Sequence, residues 1–199
     1  MIFRSAITIA AVATLAACSS TTASPAPSTF PSSTSGTPGG SPGTPQSASP
    51  HLTPGGWGGA KLGMTKADAA RTGLFNVDVK QTEPCPFTVE LQPKAPYKHA
   101  LDIGLHGGRI ANIAIWKDIV STPEGIHIGS SWAEVRRAYP NVTAPREAGY
   151  GQSAIYLKDG ANYLGFLLGP KPKDLKATDR VSYMEIQQGR APDMMRDGC

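Results

Sequence analysis

Between residues 56 and 199 the hydrophobic positions switch twice from a short helical spacing to strand-like alternation. Residues 61–73 and 127–139 align at a constant offset, so that Gly63 meets Gly129, Thr65 meets Ser131 and Asp68 meets Glu134. Thr65 and Ser131 stand at helix N-cap positions with an acid three residues later, and Ser131-Trp132-Ala133-Glu134 has the full capping-box pattern. The acids fall in the first turn, where the helix dipole favours negative charge. The first helix is expected to stop near Gly73, a C-cap residue, and the second before Pro140, which cannot continue a helix.

After each helix come runs that alternate with period two: residues 87–91, 100–106 and 109–116 in the first half, and 153–157, 163–168 and 180–186 in the second. Gly107-Gly108 and Asp159-Gly160 supply turn signals between them. Leu101, Ile103 and Leu105 fall on one face of their strand, Asp102 and His106 on the other. The pattern predicts an α+β fold of two tandem helix-plus-antiparallel-meander repeats, about 58–120 and 125–188. The helices are expected on one face of the sheet, with a C-terminal tail at 189–199. Gly104 and Gly165 sit in the middle of equivalent runs, where a missing side chain permits sheet curvature or close approach; curvature is the simpler reading.

The pattern before residue 56 is different. Arg4 precedes an apolar run over residues 7–15, and Leu15-Ala16-Ala17-Cys18 closes it with small residues, the order of a secretory signal peptide over residues 1–17. The run is too short to span as a mature transmembrane helix. Residues 19–55 are dominated by Ser, Thr, Pro, Gly and Ala and contain no Lys, Arg, Asp or Glu. Such a stretch cannot bury enough apolar surface to offset chain entropy and is expected to be a disordered linker. It would reach roughly 30–35 Å if fully flexible. Its Ser/Thr-plus-Pro composition also suits an O-glycosylated stalk.

A Cys at the cleavage point resembles the bacterial lipobox. The resemblance implies lipidation of Cys18 through a thioether, removal of residues 1–17 and acylation of the new amino group. It further implies a lipid-anchored protein on the extracytoplasmic side of the cell membrane. With Cys18 lipidated, Cys85 and Cys199 are the remaining thiols in an oxidising compartment, and the even remainder suggests one disulfide between them.

The helix-opening pattern of apolar-Gly-x-Ser/Thr-x-Ala-Asp/Glu, followed by a meander and repeated, resembles two known families. These are the secreted β-lactamase-inhibitor protein and the small lipoprotein subunit of the β-barrel assembly machinery. The similarity covers roughly residues 58–188 and implies the tandem fold and a protein-binding habit. The inhibitor family carries a disulfide within each repeat, whereas this chain has at most one in total, so β-lactamase inhibition does not come with the resemblance.

The net charge is +4, of which Arg4 contributes one and the linker none, leaving +3 on residues 56–199. Lys and Arg are spread among acids, which argues against a nucleic-acid partner. No paired-Cys or His-Glu-x-x-His spacing indicates a metal, no phosphate-cradling glycine loop is present, and no cofactor is expected. Asp102 and His106 lie about 13 Å apart along one strand, too far for direct contact. They are solvated face residues or, with Trp132 at a helix start, a candidate ligand-binding face. Trp132 is compatible with solvent or with packing against a sheet edge. The leading expectation is a non-enzymatic module for a protein or cell-envelope ligand. The alternative is a hydrolase of envelope glycans using Asp102, Glu90 or Glu185, although sequence alone places no pair of carboxylates at a catalytic separation.

Overall fold

The computed structural model describes residues 50–80 and 88–194. Cys18, Cys85 and Cys199, and with them the lipidation and disulfide expectations, lie outside the described residues, as does the signal segment.

Both helix starts form where the capping pattern places them. In α1 (Lys66–Arg71) Thr65 Oγ accepts from the Asp68 N–H at 3.1 Å and donates to the Asp68 carboxylate at 2.6 Å. In α2 (Trp132–Ala138) the box is complete: the Ser131 N–H donates to Glu134 Oε2 at 2.6 Å and the Glu134 N–H to Ser131 Oγ at 3.3 Å. Each helix has fewer than two and a half turns, too short to be stable without tertiary packing.

Among the described residues strands dominate the rest, in three antiparallel sheets. A small meander holds β1 (Leu52–Thr53), β2 (Gly56–Trp57) and β3 (Ala60–Lys61). Leu52 is fully buried although it falls in the stretch whose composition reads as linker. A two-stranded ribbon pairs β4 (Phe75–Lys80) with β5 (Thr88–Pro93). The third sheet holds β6 (Leu101–His106), β7 (Arg109–Ile115), β8 (Arg146–Ala148), β9 (Gln152–Asp159), β10 (Asn162–Leu168) and β11 (Val181–Gln188), in the order β6-β7-β11-β10-β9-β8. The β6–β7 turn at Gly107-Gly108 has positive φ at both residues, 58° and 71°, the conformation for which a two-residue hairpin selects glycine.

This arrangement corrects the expected fold of two tandem helix-plus-meander repeats. In the first half β5 leaves the predicted meander and pairs with β4 in a ribbon of its own, while β6 and β7 join the sheet built by the second half, through β7 against β11. The separation is made by residues 94–99, where Pro96 and a 3-10 turn at Tyr97–His99 break the run between β5 and β6. Nor do the helices form a layer. Ala69, Trp132 and Val135 are their buried residues; Leu52, Trp57, Ala60, Val120 and Ile126, from the small meander and a loop, fill out the same core. Against them pack Ile113, Ile115, Leu164, Phe166, Met184 and Ile186 from one face of the six-stranded sheet.

Candidate functional site

Because side chains alternate along a strand, residues flanking those core positions point to the opposite face of the six-stranded sheet. One rung of register crosses that face: Asp102 pairs with Ala114, Ala114 with Glu185, Glu185 with Gly165 and Gly165 with Tyr156. The next rung runs through Gly104, Asn112, Gln187, Tyr163 and Lys158. On the first rung large and small residues alternate, and the missing side chain of Gly165 leaves a space between Glu185 and Tyr156. A second, smaller apolar cluster lies on this face, made by Ala114, Ala154, Tyr156, Leu167, Tyr183 and Met194 with Trp116 and Tyr163 against it.

Glu185 is the chemical centre of the face. It is 5% exposed, with Oε1 accepting from Asn112 Nδ2 at 2.6 Å and Oε2 from the Tyr183 hydroxyl at 3.3 Å. Both donors are neutral. Burial pushes its carboxyl above the usual range; the Asn112 and Tyr183 hydrogen bonds oppose this, Asp193 adds to it and Arg190 opposes it. Gly104 makes the Asn112 contact possible, since a Cβ there would fall 1.8 Å from Asn112 Oδ1. Close approach, rather than curvature alone, is thus what both mid-strand glycines provide. At Gly165 a Cβ would meet Met194 Sδ at 2.4 Å and Pro192 Cγ at 3.1 Å.

Those two residues belong to the C-terminal segment. Gly189, at φ 85°, follows β11 and donates its N–H to the Ala161 carbonyl at 2.7 Å. The chain then doubles back over the sheet, bringing Pro192 and Met194 into burial above Gly165. The Tyr156 hydroxyl donates to the Pro192 carbonyl at 3.0 Å. Burial and the nearby Asp193 raise the Tyr156 phenol, Arg146 pulls the other way, and Glu185 adds a smaller rise.

The expected site residues divide. Asp102 is exposed on this face, on the same rung as Glu185. His106 is also exposed, but it stands beyond a register shift at Gly104/Leu105, paired with Arg109 at the hairpin end. Trp132 does not join them: it is 8% exposed and packs in the main core on the other side of the sheet, with the Arg136 guanidinium 5.1 Å from its ring centroid. Helix α2 turns its first residue inward, and no exposed tryptophan is presented. Glu90 lies on the ribbon, where Lys66 pairs with Asp78 and, at 3.6 Å, with Glu90. Sequence reasoning named Glu185 without its setting. The signal was an acid in the otherwise apolar stretch Tyr183-Met184-Glu185-Ile186, opposite a mid-strand glycine.

A second polar feature is a shallow hollow of about 180 Å³ lined by Glu124, His127, Ser130, Glu134 and Arg137 among others. His127 Nδ1 lies 2.6 Å from Asp118 Oδ1 and 2.9 Å from the Ile128 carbonyl, two acceptors that assign the proton to Nδ1. Among the described residues no group of three or more His, Cys, Asp or Glu side chains is placed to hold a metal ion. No helix among them is long and apolar enough to cross a membrane.

No protein family model matches this chain. No curated protein matches it either. The crystal structure of the uncharacterized protein YfeY from Escherichia coli is similar to 69% of this chain and 99% of its own, with 16% identity and a TM-score of 0.45.

Proposed function

We propose that this chain is a lipid-anchored, extracytoplasmic binding module without enzymatic activity, and that the Asp102–Glu185 face of its six-stranded sheet engages a protein or cell-envelope ligand. The anchor rests on the Cys18 pattern and the preceding signal segment. The observation that carries the reading of the face is Glu185. A carboxyl buried among neutral donors costs desolvation energy that an apolar residue on the same strand would not. Such perturbed acids cluster at functional sites. Two strands away on the same rung Asp102 is exposed, and Trp116 lies half-buried on this face, a mixture of polar and aromatic groups of the kind that anchors ligands.

The test is affinity capture from a detergent extract of envelope with the full chain as bait. Capture of one species by wild type, reduced at least tenfold by Asp102→Ala and unchanged by Glu90→Ala, supports the face as the binding surface. Equal capture by wild type and Asp102→Ala removes it.

One observation favours a hydrolase as the second reading. Asp102 and Glu185 flank Ala114 on a single rung, two strand spacings or about 9–10 Å apart at Cα. One acid is exposed and the other is biased toward its neutral form, the asymmetry that acid–base cleavage of a glycosidic bond uses. Release of reducing ends from envelope glycans by wild type, abolished by both Asp102→Asn and Glu185→Gln, would select this reading over the first.

A further inference from the structure

The segment over Gly165, residues 190–194, crosses the sheet as irregular chain. It adds no strand to any sheet. One polar tie to the sheet is made by a backbone carbonyl, that of Pro192, accepting from the Tyr156 hydroxyl. Its apolar ties are Met194 and Pro192, both buried over the space that Gly165 leaves between Glu185 and Tyr156, with Ala191 packed against the same cluster. Met194 takes φ 57°, a left-handed conformation that a side-chain-bearing residue adopts reluctantly, so the occupant fits the hole at some backbone cost. Asp193 also brings a negative charge toward Glu185. The floor beneath is preformed by strands β9, β10 and β11 and does not depend on the segment for its pairing.

From this we infer that the groove over Gly165 is a peptide-binding site, which this chain's own residues 190–194 fill as a built-in competitor. Its partner is an extended segment of another protein with a proline followed two residues later by methionine or another unbranched apolar side chain. The carbonyl of the proline meets Tyr156, the apolar side chain fills the hole over Gly165, and the intervening residue is neutral or basic beside Glu185. The inference deepens the binding reading of this sheet face and rests on it. A covalently attached competitor acts at an effective concentration on the order of millimolar, so partners bind weakly until the segment is displaced.

The probe is a fluorescein-labelled peptide with the sequence of residues 189–194, titrated by anisotropy into the full chain in detergent. Met194→Ala empties the hole and is expected to bind the peptide at least tenfold more tightly than wild type. Gly165→Val fills the hole from the strand side, where valine suits β structure, and is expected to bind no peptide. Adding peptide to wild type should speed hydrogen exchange at Asp193 and Met194, a readout independent of whether either variant folds. The inference is overturned if Met194→Ala binds no more tightly than wild type, if Gly165→Val binds as Met194→Ala does, or if the exchange of Asp193 and Met194 is unmoved by saturating peptide. It is also overturned if wild type exchanges its tail with a second copy, seen as a concentration-dependent dimer that the peptide dissolves. Capture that depends on Asp102 in a protein that binds no peptide would leave the broader reading intact and remove this one alone.

Discussion

The two faces of the six-stranded sheet are closed in different ways. One meets a continuous apolar core that draws on the small meander, the ribbon, both helices and the loop carrying Val120 and Ile126, with Leu164, Phe166, Leu168, Met184 and Ile186 almost fully enclosed. The other carries alanines, a glycine, tyrosines and an acid, and its cover includes one short chain segment attached through Gly189. The same strands supply both. On the proposed reading the first face is committed to stability and the second, covered in part by a segment outside any strand, to recognition.

The sharpest way to break this contrast is to excavate each face in turn. Phe166→Ala removes a ring that packs 5.7 Å from Tyr139 in the main core and is expected to cost about 3–5 kcal/mol. Met194→Ala on the other face is expected to cost at most about 2 kcal/mol, because the strands beneath pair with one another and not with the segment. Urea unfolding midpoints of the two variants check both figures; equal losses would erase the distinction between the faces.

Asn112→Ala sharpens the comparison from inside the second face. It removes the shorter of the two hydrogen bonds to Glu185 and is expected to destabilise by about 1–3 kcal/mol at neutral pH while raising the Glu185 carboxyl further. The same urea titration reads the loss, and carboxyl-resolved NMR titration reads the shift.

Smaller still is the pH dependence that Glu185 imposes. Its folded-state value lies above the ordinary 4.5, so the folded protein binds the extra proton more readily than the unfolded chain. The contribution is fully present below about pH 4.5 and is lost as pH rises through the folded value. Asp68 and Glu134 shift the other way, drawn down chiefly by hydrogen bonds from Thr65 and Ser131, and lose their contribution as pH falls. The difference in melting temperature between wild type and Glu185→Gln isolates the Glu185 component. It is expected to favour wild type most at acid pH and to shrink between pH 4 and 8; a difference flat with pH would contradict the raised carboxyl.

Local chemistry was legible in the sequence and non-local pairing was not. Thr65, Ser131 and Glu134 announce two helix starts because a cap needs only residues three apart, and Gly107-Gly108 announces a hairpin because the turn is two residues long. Which strands then pair depends on contacts far along the chain, such as Ile113 with Ile186, and alternation carries no record of them. The alternation in residues 75–80 was there to be read, yet Asp78 takes a left-handed φ of 51° within β4 and the strand finds its partner in β5. Of the site, Asp102 was placed on the correct side of its strand by period two alone. Trp132 was misplaced because residue type at a helix start does not say which way the helix is rolled. The setting of Glu185, made by Asn112, Tyr183 and a segment arriving from beyond β11, exists only after folding.

The central claim, that one face of the sheet is locked and the other covered by a detachable segment, is tested most directly by two methionines. Met184 is fully enclosed in the main core and Met194 is 2% exposed over Gly165, so in the static structure both thioethers are shielded alike. Peroxide oxidation of the native full chain, followed residue by residue by mass spectrometry, reports how each is reached. Met194 is predicted to form sulfoxide at least tenfold faster than Met184, at denaturant concentrations well below global unfolding. Oxidation of the two at the same rate, rising together only with global unfolding, would contradict the account.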